Sequence, residues 1–186
     1  MTSDDTFETL LASVRRGDQA AAATLYRRVH PRLIRYLRYE EPQAAEDIAA
    51  DVWVSIASKL ATFEGDEAGF RALAFTIARR RVIDHRRRGV RRRTSVAPPE
   101  QFVERGDAVP ESDPSDSVEG QEAVDRIVSL LPPQQAEVVL LRVVADLDAE
   151  TVATMVGRSA NWVRVTQHRA LRKLAEQLRR TTDVTP

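Results

Sequence analysis

Leu130-Leu131-Pro132-Pro133-Gln134-Gln135-Ala136-Glu137-Val138-Val139-Leu140-Leu141 opens the stretch that decides the fold. It continues through Asp146-Leu147-Asp148-Ala149-Glu150-Thr151-Val152-Ala153 to Val156-Gly157-Arg158-Ser159, and closes with Ala160-Asn161-Trp162-Val163-Arg164-Val165-Thr166-Gln167-His168-Arg169-Ala170-Leu171-Arg172-Lys173-Leu174. A short amphipathic segment, a glycine-containing turn and a second helix with a basic outer face predict a helix-turn-helix, whose second helix enters the major groove of DNA. On that helix Val163, Ala170 and Leu174 share one face with Gln167 between them, a packing pattern. Asn161, Arg164, Val165, Thr166, His168, Arg169 and Arg172 are left for the groove and its walls. Arg164 is the first choice for a base edge, because a guanidinium reads guanine O6 and N7 with two parallel bonds. Arg169, Arg172 and Lys173 suit phosphates, which fix register without reading sequence. Trp162 fits a thymine methyl and packing on the preceding helix equally well.

Outward from this motif, the charge pattern is segregated. The 186 residues carry 28 basic and 28 acidic side chains, a net charge of zero. Yet arginines stand at 71, 79, 80, 81, 86, 87, 88, 91, 92 and 93, with Asp84 the one acid among them. From Thr94 to Asp125 there are nine acids and one base, Arg105. The first stretch attracts phosphate; the second repels it or shields the first. The sequence contains no cysteine, which excludes a disulfide framework and a thiolate metal site. Its start, Met1-Thr2-Ser3-Asp4-Asp5, is acidic, unlike the basic-then-apolar run of a signal peptide. No window approaches the roughly 18 continuous apolar residues of a membrane span. A soluble, cytoplasmic protein without membrane contact of its own is expected.

The region from about Asp5 to Arg88 reads as helical. Phe7, Leu10, Leu11 and Val14 recur at helical spacing before Gly17-Asp18 breaks the first helix, and Asp18 suits the N-cap of the second. That second helix runs through Leu25, Tyr26, Val29, Leu33, Ile34 and Leu37, with Pro31 predicting a kink or an absorbed bend. Pro42 suits the first turn of a third helix, whose apolar side carries Ile48, Val52, Trp53, Ile56 and Leu60. The loop Thr62-Phe63-Glu64-Gly65-Asp66-Glu67 leads to a fourth helix that faces Phe70, Leu73, Ala74, Ile77 and Ile83 inward. No alternating strand pattern is present. Residues 94–119 hold Pro98, Pro99, Pro110 and Pro114 with scattered Ser and Asp, a composition too polar to offset chain entropy by burial. The expectation is an all-α protein with two small helical domains, 1–93 and 120–186, joined by a flexible acidic linker over 94–119.

Three blocks in order resemble an extracytoplasmic-function (group IV) sigma factor of bacterial RNA polymerase. Leu25-Tyr26-Arg27-Arg28-Val29-His30-Pro31-Arg32-Leu33-Ile34-Arg35-Tyr36-Leu37 is similar to region 2.1 of that family. Ala45-Glu46-Asp47-Ile48-Ala49-Ala50-Asp51-Val52-Trp53, with Phe70 to Arg79 and Ile83 to Arg88, resembles regions 2.2 to 2.4. The helix-turn-helix resembles region 4.

The resemblance implies that Asp47, Ile48, Ala50, Asp51 and Trp53 dock on the clamp helices of the polymerase largest subunit. Asp47 and Asp51 lie four apart on one helical face, which also fits a merely solvated acidic surface. It implies too that the arginine-rich helix binds the minus-ten element and captures a flipped base, chemistry that needs a cationic groove and a pocket. Arg71, Arg79, Arg80 and Arg87 are the phosphate candidates, with Asp84 on the same surface fixing neighbouring arginines. Phe63, Glu64 and Gly65 fall in the loop, Phe63 to Gly69, placed like the family's base-selecting loop. Arginines 86, 87, 88, 91, 92 and 93 also read as a general basic tail. Three departures stand out: Leu73 where many members have Trp, Arg80 where they have Asn, and Ala50 where Gln is common.

Catalysis finds no support. His30, His85 and His168 fall in different blocks, and no metal-ligand spacing, phosphate loop or nucleophile motif occurs. Asp84 and His85 are adjacent on a helix and point apart. The resemblance implies a non-enzymatic promoter-specificity subunit without a cofactor. Its partners would be core RNA polymerase (clamp helices and flap region), promoter DNA and an anti-sigma factor. The minus-thirty-five duplex would be held by the last domain and the minus-ten region opened by the first. The competing reading is a stand-alone helix-turn-helix regulator, whose other domain would need no arginine-lined helix.

Overall fold

The computed structural model describes residues 3–94 and 128–182. The expected linker over 94–119 lies almost wholly outside them. Among the described residues every regular element is helical, in agreement with the all-α expectation. The first group is α1 (Ser3–Arg15), α2 (Gln19–Glu40), α3 (Ala45–Leu60) and α4 (Glu67–Thr94). The second is α5 (Pro133–Val139), a π-helical turn (Leu140–Val144), α6 (Ala149–Val156) and α7 (Ala160–Thr182).

Local chemistry sets the boundaries. Asp18 caps α2 by accepting from the Ala20 and Ala21 amides at 2.9 and 3.1 Å, two donors that otherwise have no intrahelical partner. Pro31 neither ends nor splits α2, which continues to Glu40. The apolar stripe on both sides of it, Leu25 and Val29 before, Leu33, Ile34, Tyr36 and Leu37 after, is buried and holds the helix through the missing bond. Pro42 departs from expectation: it lies in the turn 42–44, and α3 begins three residues later at Ala45.

The core of the first group is α2, α3 and α4 packed on one another, with α1 laid against α2. Leu33, Tyr36, Leu37, Val52, Phe70, Ala74, Phe75 and Ala78 are all fully buried. Each large apolar side chain there contributes about 1.5–3 kcal/mol of transfer free energy. In the second group α5 and α6 both pack on α7. The π turn puts one extra residue into that path: the Ala145 amide reaches back to the Leu140 carbonyl at 2.9 Å, and Leu140, Leu141, Ala145 and Leu147 all become buried. Asp146, between them, adopts φ +54°, a left-handed conformation that Asp tolerates better than most residues.

The two groups touch. The π turn packs on α2, Arg79 of α4 pairs with Glu137 of α5 at 2.7 Å, and Asp146 faces Arg71 at 3.3 Å and Arg32 at 3.7 Å. A cavity of about 440 Å³ lies where α2, α4 and α5 meet, lined by Tyr36, Tyr39, Glu40, Arg79, Arg86 and Glu137 among others.

Candidate nucleic-acid interface

Arginine on a helix with a buried opposite face can only extend outward, and α4 is built this way: Phe70, Ala74, Phe75, Ile77, Ala78 and Val82 point in. Of the four phosphate candidates, Arg80 and Arg87 are exposed. Arg71 is 15% exposed, pairs with Glu67 at 3.4 Å and Asp146 at 3.3 Å, and keeps a buried Nε without a hydrogen-bond partner. Arg79, with its Glu137 partner, is held at the contact between the two groups. Asp84 is exposed, and it is its backbone carbonyl that accepts from Arg88 at 3.3 Å. Arg86, two residues from Asp84, is held instead by Glu40 and Glu41 at the end of α2, at 2.7 and 2.5 Å. Burial lifts the Glu40 carboxyl above its ordinary range, against the pull of Arg86. His85 lies 3.9 Å from Glu41.

The loop between α3 and α4 leaves Glu64, Gly65 and Asp66 exposed. Phe63 turns inward instead, its ring meeting Phe70 edge-on at 5.5 Å. Gly65 has φ +149°, and a Cβ there would stand 3.1 Å from the Phe63 ring, so glycine permits both the backbone and the close approach.

On α3, Asp47, Ala50 and Asp51 are exposed along one face. Ile48 is 5% exposed and belongs to the core, so the side chain expected at a docking surface is spent on packing. Trp53 is half-buried: its indole N–H donates to His30 Nδ1 at 3.2 Å, and its ring lies 4.9 Å from that of Tyr26. Val54, 72% exposed, extends the Asp47 face and was missed, although an apolar residue three positions after Asp51 and off the core stripe was the available signal.

Helices α6 and α7 form the expected helix-turn-helix. Asp148 caps α6 through the Thr151 amide and hydroxyl at 2.7 and 2.8 Å, which also holds the Asp148 carboxyl below its usual value. Gly157 ends α6 at φ +68°, and Ser159 Oγ accepts from the Trp162 amide at 3.1 Å as α7 begins. Asn161, Arg164, Val165, His168, Arg169 and Arg172 are exposed. Arg164 forms an ion pair with Glu150 of α6, and Arg172 with Glu176 at 3.3 Å. Thr166 departs from expectation: it is 9% exposed and turned into the packed stripe with Val163 and Ala170. Trp162 packs partly on the core, with the Arg158 guanidinium 5.5 Å from its ring centre. Gln167 has a definite task. Its Oε1 accepts from Arg142 Nε at 2.9 Å while Arg142 Nη1 binds the Leu147 carbonyl, tying the π turn to the recognition helix. Neither Arg142 nor Arg158 was singled out by the sequence reading.

Among the described residues no cluster of histidine and acidic side chains could hold a metal ion, and no helix is long and apolar enough to cross a membrane.

A family model described as ECF sigma factor matches residues 4–180. The ECF RNA polymerase sigma factor ShbA of Streptomyces griseus is 34% identical over 180 residues, covering 87% of this chain and 91% of that protein. The ECF RNA polymerase sigma factor SigD of Mycobacterium tuberculosis is 31% identical over 182 residues, covering 92% and 83%. Among solved structures, CnrH in complex with the cytosolic domain of CnrY superposes with a TM-score of 0.59 at 21% identity, over 95% of this chain and 97% of that one. The sigma factor RpoE from Bartonella quintana, in complex with the anti-sigma factor NepR, gives 0.58 at 20% identity, over 89% and 98%.

Proposed function

This chain belongs to the ECF sigma factor family, and from that membership we propose how its two helical groups divide promoter recognition. As a sigma factor it directs promoter-specific transcription initiation. The match over residues 4–180, which spans the arginine-rich α4 and the helix-turn-helix together, carries the assignment.

In this reading residues 1–93 form the minus-ten domain and residues 120–186 the minus-thirty-five domain. The α7 face with Asn161, Arg164, Val165, His168, Arg169 and Arg172 enters the major groove, and Arg164 reads a base edge. Thr166 does not take part, since it faces the core. Along α4, Arg80 and Arg87 are available to phosphate at once, while Arg71 and Arg79 exchange their carboxylate partners for DNA. The exposed Glu64 and Gly65 meet an unstacked base. Asp47, Ala50, Asp51 and Val54 form the face offered to the clamp helices of core polymerase, with Trp53 braced behind them by His30. An anti-sigma factor is a further proposed partner, supported by the complexes in which CnrH and RpoE were solved.

Co-purification with core polymerase separates this from a stand-alone helix-turn-helix regulator. A stoichiometric complex that initiates in vitro from a subset of a promoter library is the expected result. Duplex binding without polymerase association would favour the regulator.

A further inference from the structure

The loop joining α3 to α4 is open to solvent at Ala61, Thr62, Glu64, Gly65 and Asp66, yet it is held from beneath at three points. Asp66 Oδ1 accepts from the Gly69 amide at 2.7 Å, fixing the entry to α4. The Phe63 ring rests on Phe70, and Phe70 rests on Phe7 of α1 with centroids 5.8 Å apart. The third point is Arg15, the last residue of α1. Its Nε donates to the Leu60 carbonyl at 3.1 Å, and its Nη2 donates to the Phe63 carbonyl.

Leu60 ends α3, so its carbonyl is one of the acceptors left without an intrahelical partner, at the negative end of the helix dipole. A guanidinium satisfies it and, through the same rigid plane, the loop carbonyl three residues on; an ammonium has no such fork. The position of Arg15 is itself fixed. Phe7 and Leu11 bury α1 against the core, and Gly17 at φ +87° terminates it, with its amide on the Val14 carbonyl at 2.9 Å.

We propose that Arg15 is a positioning residue for the base-selecting loop, so that α1 helps set base preference at the minus-ten element without touching DNA. This rests on the reading that Glu64 and Gly65 meet the unstacked base. Rejection of a wrong base requires a loop that does not remould around it; a loop freed at Leu60 and Phe63 adapts to several bases and discriminates less.

The test uses the full-length protein with core polymerase, transcribing a promoter library randomised across the minus-ten element above a fixed minus-thirty-five element. Arg15→Ala and Arg15→Lys should each flatten the preference at one or two minus-ten positions, by about fivefold for the alanine variant, the change that one hydrogen bond's worth of order supports. Preference at the minus-thirty-five element, read from a second library, should stay as in the parent. A minus-ten preference unchanged in both variants, or an equal loss on every promoter, would overturn the proposal. If Arg15→Ala melts early, Arg15→Lys carries the test alone. Glu64→Ala separates the two levels: if it shifts minus-ten preference while the Arg15 variants do not, Arg15 has no positioning role. If it too leaves preference unchanged, the underlying reading of the loop is what fails.

Discussion

Helices α4 and α7 are both long, both arginine-rich on one side and both buried on the other, yet their arginines are held differently. On α4, Arg71 and Arg79 reach acids that come from beyond residue 130, Asp146 and Glu137, besides the local Glu67 at Arg71, and Arg86 is clasped by Glu40 and Glu41 at the end of α2. On α7, Arg164 and Arg172 find acids within their own motif, Glu150 and Glu176, and their side chains remain 55% and 75% exposed. On the division of roles proposed above, α7 would meet an intact duplex and need its cations outward, free to settle on a rigid lattice of phosphates. On the same proposal α4 would meet an opening strand and could hold part of its charge against protein acids until DNA competes. Arginine content alone does not separate the two helices; on α4, Arg71 and Arg79 are paired across the contact between the two groups, and on α7, Arg164 and Arg172 are not.

The largest effect that would break the comparison lies under α4. Phe70 is fully buried and touches Phe7 on one side and Phe63 on the other. Phe70→Ala should cost about 3–5 kcal/mol of stability in chemical denaturation. Val165→Ala on the exposed side of α7 should cost within about 0.5 kcal/mol. Similar losses would mean that the two faces are not supported as differently as their packing indicates. Next in size is Arg164→Ala. It should relax preference at one minus-thirty-five position by about 1–3 kcal/mol in a binding-site selection, as a two-bond base contact does. A uniform loss over all sequences would make Arg164 a phosphate contact like its neighbours.

Much of this layout was legible in advance, for physical reasons that are local. Apolar spacing located the buried stripes of α1 to α4, Asp18 and Gly17 marked a helix boundary, and Gly157 marked the turn between α6 and α7. What was not legible depends on tertiary partners or on phase. Thr166 reads as polar and therefore outward, but it lies three residues after Val163 and four before Ala170, on the packed stripe, and is 9% exposed. Val54 is the mirror case: it is apolar yet 72% exposed, off the phase of the buried stripe Ile48, Val52 and Ile56. Phe63 turned inward because Gly65 leaves room for its ring. The distant partners of Arg71 and Arg79 stand 75 and 58 residues away in sequence, beyond the reach of any spacing rule, although Glu67, four residues before Arg71, is not.

Those distant partners give the next prediction. Glu137→Gln with Asp146→Asn keeps the shape of both sites and removes the charge facing Arg79 and the distant one of the two facing Arg71, leaving Glu67 in place. In the free protein the affinity for a short single-stranded minus-ten oligonucleotide should rise about two- to fivefold for each pair, more at low salt. Glu150→Gln, the matching change beside Arg164, should leave single-strand binding alone and act on the duplex. Fluorescence anisotropy at two salt concentrations measures both. If the double variant binds no better, Arg79 serves the protein fold and not the DNA, and Arg71 is held by Glu67 instead.

The smallest effect concerns a brace outside both DNA faces. His30 accepts from the Trp53 indole through Nδ1 and stacks on Tyr26 with ring centres 4.3 Å apart. Burial lowers its pKa below the ordinary value near 6.5; Glu46 opposes that shift and Arg38, paired with Glu46 at 2.8 Å, adds to it. A group whose pKa is depressed by folding binds its proton more readily when unfolded. Its share of stability is therefore complete above pH 6.5 and is lost as pH falls toward the folded value. Protonation at Nδ1 also removes the acceptor that Trp53 uses. Denaturation midpoints between pH 7.5 and 5.5 should thus decline in the parent and decline less steeply in His30→Asn, whose amide oxygen can still accept from the indole. Trp53 emission should shift to the red over the same range in the parent, and Trp162→Phe isolates that signal, since the chain has only two tryptophans. Parallel slopes in the two proteins would move the pH response away from the His30–Trp53 brace, to the buried Glu40 carboxyl beside Arg86, and return it to the α4 side of the comparison.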